Sequence, residues 1–156
     1  MTEMKMHNTQ ALAARVSTLI DEMGSRCAHL DRLSVEQGQA VRDGDVELVL
    51  DVLQRREPVL RALAVAGEQL GAMLEDGACI SAMGPALFAD ARERLRELER
   101  VADGIRERDA EHHQLMKQQR DGLAARLSSM GQQKSAMSAY SGNKGTPNPT
   151  LQDRRG

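Results

Sequence analysis

The side chains best suited to metal or acid–base chemistry are a Glu-His-His run at residues 111–113 and a Cys-x-His pair at Cys27 and His29. Zinc prefers such ligands, and a hydrolytic zinc helix carries two histidines one turn apart, as in HExxH. Neither stretch has that spacing, because residues one or two apart on a helix do not face each other. We therefore expect His29, His112 and His113 to be solvated or partly buried histidines, and we predict no metal site.

Other catalytic signatures are also missing from the sequence. It contains no glycine-rich phosphate loop, no serine nucleophile elbow and no paired Glu-x-x-His helices of a di-iron bundle. The carboxylates between Arg92 and Arg100 alternate with arginines, which is typical of a solvated helix face with ion pairs one turn apart. We predict a protein that is not an enzyme and that needs no cofactor.

Composition narrows the fold to a helical one. The 156 residues include 21 Lys+Arg and 23 Asp+Glu, which give a net charge of −2, and Phe88 and Tyr140 are the only aromatic residues. Without a basic excess or an aromatic platform, nucleic-acid binding is not expected. Strands draw on aromatic and β-branched residues, whereas this chain is rich in the residues of long helices. The predicted fold class is therefore all-α, an antiparallel helical bundle or coiled-coil hairpin.

The sequence shows neither a signal peptide nor a membrane span. Its longest uncharged run, residues 77–89, is 13 residues long and contains Gly84-Pro85, so it is too short to cross a bilayer. The two cysteines, Cys27 and Cys79, form no disulfide framework and are expected to be reduced and buried. We predict a cytoplasmic protein.

Hydrophobic periodicity predicts a first helix from about Thr9 to Val41, capped by Thr9 or Asn8. Gly44 is suited to the left-handed turn that ends a helix, and Asp45 to capping the next one. The predicted buried stripe of the first helix comprises Leu12, Val16, Leu19, Met23, Cys27, Leu30, Ser34, Gln37 and Val41.

The second helix is predicted from Val46 to Leu74, with a kink before Pro58 and a loop over residues 75–84. Its predicted apolar face comprises Val49, Leu53, Leu60, Leu63, Leu70 and Leu74.

A third helix is predicted from about Ala86 to Met137, with Pro85 at its start. Its stripe contains Phe88, Ala91, Leu95, Leu98, Ala102, Ile105, Asp109, His112, Met116, Gln119, Leu123, Leu127, Met130 and Met137. Residues 1–140 then form one helical domain, and residues 141–156 form a flexible tail.

The predicted lengths of the helices differ, and this difference suggests a function. Helices of about 29 to 33 residues span roughly 45–50 Å, whereas the third spans roughly 75–80 Å. Its last turns therefore extend past the hairpin from about Met116 onward. An exposed apolar stripe of this size normally binds a partner. The residues of this stripe that are predicted to bind a partner are Leu115, Met116, Leu123, Leu127, Met130 and Met137.

The hairpin sequence QAVRDGDVELVLDVLQRREPVLRAL at residues 39–63 resembles that of FlgN-type flagellar export chaperones. The resemblance implies a cytoplasmic type III export chaperone that binds hook-associated proteins of the hook–filament junction before export. It places substrate binding on the C-terminal half of the long helix and implies that Tyr140 docks to a component of the export gate. A related chaperone with a similar helical layout holds the filament-cap protein, so the identity of the substrate stays open.

A second interpretation uses the same apolar stripe. It is a structural coiled-coil protein that forms a homodimer through these residues and has no role in export.

Overall fold

A computed structural model describes residues 2–142 as four helices. They are α1 (Thr2–Asp43), α2 (Val46–Glu75), α3 (Gly77–Met83) and α4 (Pro85–Gly142). No strand occurs among these residues, which confirms the all-α prediction. Contacts along the chain define two units, Met1–Leu115 and Met116–Gly156. The predicted tail begins at Ser141, but Ser141 and Gly142 belong to α4, and residues 143–156 lie outside the described part of the chain.

The turn between α1 and α2 forms as the sequence predicts. Gly44 has a φ of 68°, which a residue with a Cβ rarely adopts. The Asp45 carboxylate accepts a hydrogen bond of 3.0 Å from the backbone N–H of Leu48, so Asp45 caps α2. The helices are antiparallel, since Arg55 of α2 bonds Glu36 of α1 and Arg15 of α1 bonds Gln69 of α2.

The start of α1 was predicted wrongly. The helix begins at Thr2 rather than near Thr9, so neither Asn8 nor Thr9 is a cap. The Thr9 hydroxyl instead donates to the carbonyl oxygen of Lys5 one turn earlier. A Ser or Thr hydroxyl that bonds back along the helix in this way is compatible with a helix interior.

The predicted loop at residues 75–84 contains the short helix α3. Asp76 caps it by accepting from the N–H of Ala78, and Gly84 ends it with a φ of 79°. Cys79 and Met83 of α3 pack into one hydrophobic cluster with Leu19, Leu70 and Ala91. Burial of these two side chains explains why a segment with glycines at both ends is helical.

The buried face of α2 was also predicted wrongly in part. Leu53 and Leu60, which were predicted to lie on this face, are exposed. As predicted, α2 is one helix that contains Pro58. The residues of α2 that are buried are Val49, Val52, Arg56, Val59, Ala66 and Leu70. Most of these residues lie three or four apart, so they form one stripe, and a charged residue stands in its middle.

The part of α4 in the first unit packs parallel to α1 and antiparallel to α2. Arg94 pairs with Asp21 and Arg108 with Asp31, while Asp109 bonds Arg56 of α2. Ile105 joins a second hydrophobic cluster with Leu30, Leu33, Val52 and Val59. Most of the buried stripe predicted for α1 is confirmed: Val16, Leu19, Cys27, Leu30, Ser34, Gln37 and Val41 are all buried.

Candidate partner-binding site

The C-terminal part of α4 exposes every side chain from residue 117 to residue 142. Among them, Leu123, Leu127, Met130 and Met137 are between 58% and 71% exposed. Their spacing of four, three and seven residues places them on one side of the helix. We call these four residues the C-terminal apolar face. Apolar side chains scattered singly on a surface are ordinary, but four on one helix face are a feature of interaction surfaces.

The other predicted site residues are Leu115, Met116 and Tyr140. Leu115 and Met116 are half-buried, and Leu115 belongs to the first unit of the chain. Tyr140 is 69% exposed and lies about a quarter turn from the centre of the face. Met116 is therefore aligned with the C-terminal apolar face and Tyr140 lies beside it, whereas Leu115 belongs to the other unit.

The surface around Met130 and Met137 is a shallow depression of about 390 Å³ that is also lined by Lys134. A depression of this kind on one side of a helix has no enclosed volume in which to hold a small substrate. It suits a side chain from another helix that inserts between neighbouring residues.

A buried polar cluster joins three helices in the first unit. Arg56 of α2 donates from Nη2 to Asp109 Oδ2 of α4 at 2.5 Å and from Nη1 to Asp109 Oδ1 at 2.9 Å. Arg56 Nη1 also donates to Gln37 Oε1 at 2.6 Å, and Ser34 Oγ donates to Asp109 Oδ1 at 3.1 Å. Burial alone would raise the pKa of Asp109, but the hydrogen bond and charge of Arg56 outweigh it and lower that pKa.

His112 lies beside this cluster and is buried, whereas the sequence predicts a solvated or partly buried histidine. Its ring packs against Gly38 of α1, where an added Cβ would lie 2.8 Å from His112 Cε1. Among the described residues, its Nδ1 has no hydrogen-bond partner, and Asp109 Oδ1 lies 4.0 Å away. Burial lowers the pKa of His112, more than the nearby Asp109 carboxylate raises it, so the ring is held neutral.

Four residues in or beside this cluster lie on predicted stripes, but the hydrogen bonds between them were not predicted. Ser34 and Gln37 belong to the predicted buried stripe of α1, and Asp109 and His112 belong to the predicted stripe of the long helix. Polar residues at core positions are a signal that they bond one another across helices. Arg56 was missed, because the predicted apolar face of α2 contained only valines and leucines.

The metal-ligating side chains and the cysteines of the described residues can be compared with the sequence predictions. No group of three or more His, Cys, Asp or Glu residues is placed to hold a metal ion within residues 2–142. Cys27 and Cys79 are free and buried, and burial raises the pKa of both thiols, so neither is a reactive thiolate. In the same part of the chain, no helix has the length and apolar character needed to cross a bilayer.

These features define a helical binding protein, whose first unit is a packed bundle and whose second unit presents an exposed amphipathic helix. The sequence model of the family described as flagellar protein FliT matches residues 24–143, which is most of the chain. The chain therefore belongs to the FliT family of flagellar type III export chaperones. No curated protein and no solved structure matches it.

The family match refines the resemblance seen in the hairpin sequence. It confirms a flagellar chaperone and gives no support to the FlgN type in particular. FliT is a chaperone family rather than an enzyme family, which fits a chain with no predicted catalytic role.

Proposed function

We propose that this chaperone holds an amphipathic helix of one flagellar export substrate on its C-terminal apolar face until the substrate is exported. The observation that carries the proposal is the exposure of Leu123, Leu127, Met130 and Met137 on one side of a helix. Covering them removes apolar surface from water, which contributes about 4–8 kcal/mol before the cost of ordering both partners.

The side chains of this face favour a reversible complex. Methionine is unbranched and polarizable, so it adapts to different neighbouring shapes. The face includes no aromatic anchor of the kind that dominates very tight interfaces. Binding of moderate strength protects the substrate helix from premature assembly and still allows release at the export apparatus.

The substrate class follows from the family and from the resemblance of the hairpin. Proteins of the hook–filament junction are the substrates implied by FlgN-type chaperones, and the filament-cap protein is the one implied by the related chaperone of similar layout. We assign Tyr140, which is exposed beside the C-terminal apolar face, to docking at a component of the export gate. Both events take place in the cytoplasm.

The experiment that tests this assignment replaces Leu123 and Leu127 together by glutamate. Two charges on the face should abolish co-purification of the hook-associated and filament-cap proteins, each expressed separately with the chaperone. The matched control replaces Leu50 and Leu60 of α2, which are also exposed leucines, by glutamate. It adds the same charge and should leave co-purification unchanged.

Sedimentation velocity of the same variants separates this proposal from the coiled-coil interpretation. If the face binds a substrate, replacing Leu123 and Leu127 by glutamate should leave the oligomeric state of the chain unaltered. If the parent chain is a dimer that these substitutions dissociate, the face is a homodimer interface. Retained co-purification would show that the substrate binds elsewhere.

A further inference from the structure

Basic residues outnumber acidic residues around the C-terminal apolar face. Residues 117–142 contain four basic side chains and one acidic side chain, although the whole chain has a net charge of −2. The basic residues are Lys117, Arg120, Arg126 and Lys134, and the acidic one is Asp121. Residues 117–142 therefore carry a net charge of +3, and residues 143–156 add +2, whereas residues 1–116 carry −7.

The positions of these cations follow a heptad pattern. Met116, Leu123, Met130 and Met137 recur every seven residues and correspond to the d positions of a coiled coil. The intervening a positions are Arg120, Leu127 and Lys134. We call these seven residues the C-terminal seam. Alternate a positions of the seam are therefore cationic.

The remaining two cations flank the seam directly. Lys117 follows a d position and Arg126 precedes an a position, which are the e and g positions whose charges select the partner of a coiled coil. Asp121 lies on the far side of the helix and pairs with Arg120 at 3.4 Å, where both side chains are well exposed. Within residues 2–142, neither Arg126 nor Lys134 has an acidic partner.

We propose that the occupant of the C-terminal seam is an acidic amphipathic helix, with glutamate or aspartate beside its apolar stripe. This inference rests on the proposed function and names the chemistry of the helix that the chaperone holds. Lys134 lines the same depression as Met130 and Met137. A carboxylate of the bound helix can therefore reach this cation while apolar side chains cover the methionines.

Charge distinguishes this occupant from a second copy of the chain. Two copies packed seam against seam bring eight basic residues together, while Asp121 of each copy stays on the far side of its helix, so the like charges repel. An anionic membrane is the other surface that attracts a basic amphipathic helix. The seam lacks the tryptophan and phenylalanine that such helices use at the lipid interface, and its 3.5-residue spacing is that of a helix partner.

The test uses two synthetic helical peptides of about four heptads with identical leucines at a and d. One peptide carries glutamate at the e and g positions, and the other carries lysine there. Binding of each labelled peptide to the full chain is measured by fluorescence anisotropy at low and high salt. The acidic peptide should bind at least about tenfold more tightly, and this preference should shrink as salt screens the charges.

A charge-reversal variant locates the effect on the seam. Replacing Arg126 and Lys134 by glutamate should weaken the acidic peptide and strengthen the basic one. The matched control, Arg61→Glu with Arg106→Glu, makes the same change in net charge at exposed sites of the first unit and should preserve the preference. Equal binding of the two peptides, binding of neither, or the same loss in the control would overturn the inference.

Two further arms address the other occupants. Vesicles of phosphatidylcholine and phosphatidylglycerol should not sediment the chain under the conditions in which the acidic peptide binds. If the chain sediments with the vesicles, and Arg126→Glu with Lys134→Glu abolishes this, the occupant is a membrane surface and the proposal is overturned. The chain could bind the two peptides equally while Leu123→Glu and Leu127→Glu still abolish capture of the flagellar substrate. That result would refute the proposal of an acidic partner helix and leave the proposed function standing.

Discussion

Removal of the Asp109 carboxylate should destabilise the bundle more than any exposed ion pair can. Asp109→Ala leaves the Arg56 guanidinium, whose side chain is 10% exposed, without its acidic partner. Breaking a buried ion pair from one side costs about 3–5 kcal/mol. Because the Asp109 side chain is 30% exposed, water reaches the cavity in part, and we expect a loss of about 3 kcal/mol.

Urea unfolding followed by far-ultraviolet circular dichroism measures this loss. The only aromatic residues are Phe88 and Tyr140, so fluorescence offers little signal for the bundle. With a denaturant slope near 2 kcal/mol per molar, the midpoint should fall by about 1.5 M. A large part of the total stability of a domain of this size is then lost.

The matched control is Asp103→Ala, on the same helix. Asp103 pairs with Arg106 at 2.6 Å, but both side chains are well exposed, so its loss should cost less than about 0.5 kcal/mol. Replacing both buried partners, with Arg56→Met and Asp109→Leu, should recover most of the stability, because no unpaired charge remains. If Asp109→Ala and Asp103→Ala shift the midpoint equally, the cluster does not hold α4 in place.

Three other perturbations have expected outcomes. Burial lowers the pKa of His112, so its ring is neutral in the fold. Its contribution to stability is therefore present above about pH 6.5 and is lost as the pH falls through the folded pKa. His112→Gln should reduce the pH dependence of the urea midpoint between about pH 7 and pH 5. Gly38→Ala should destabilise the bundle by overpacking against the His112 ring, whereas Gly104→Ala, with nothing within 4 Å, should stabilise it by up to about 1 kcal/mol. If the double variant Gly38→Ala with His112→Ala is more stable than Gly38→Ala alone, the contact between the two positions is verified. Tyr140→Ala should leave substrate co-purification intact and reduce export in cells, and unchanged secretion would exclude a docking role.

The sequence was sufficient to predict the elements whose apolar residues recur without interruption. The buried stripe of α1 is confirmed because seven of its predicted members are buried at regular helical spacing. The turn at Gly44 and the cap at Asp45 were readable because each depends on a local conformation that few residue types favour.

The errors fall where tertiary contacts override local preference. Leucines are strong markers of a core, yet Leu53 and Leu60 are exposed because the buried side of α2 is centred on Arg56 and its valines. The side of α2 that is buried therefore depends on the ion pair between Arg56 and Asp109, which is 53 residues away in sequence. Helix α3 was missed because its stability depends on the packing of Cys79 and Met83 rather than on its small and glycine-rich sequence.

The exposure of the C-terminal apolar face was predictable from the sequence, whereas the polar cluster was not. Heptad spacing alone identifies the C-terminal apolar face, since it needs only one helix to be defined. The cluster requires residues from α1, α2 and α4 to be brought together, which no local pattern specifies.

The contact between Gly38 and His112 also constrains how related chains can diverge. A residue with a Cβ at position 38 fits here only if the imidazole of His112 shifts or the side chain at position 112 is smaller. The two positions should therefore vary together among relatives that keep the same helix register. Their joint identity then serves as a marker by which distant members of the family can be aligned, even where the surrounding sequence is unrecognisable.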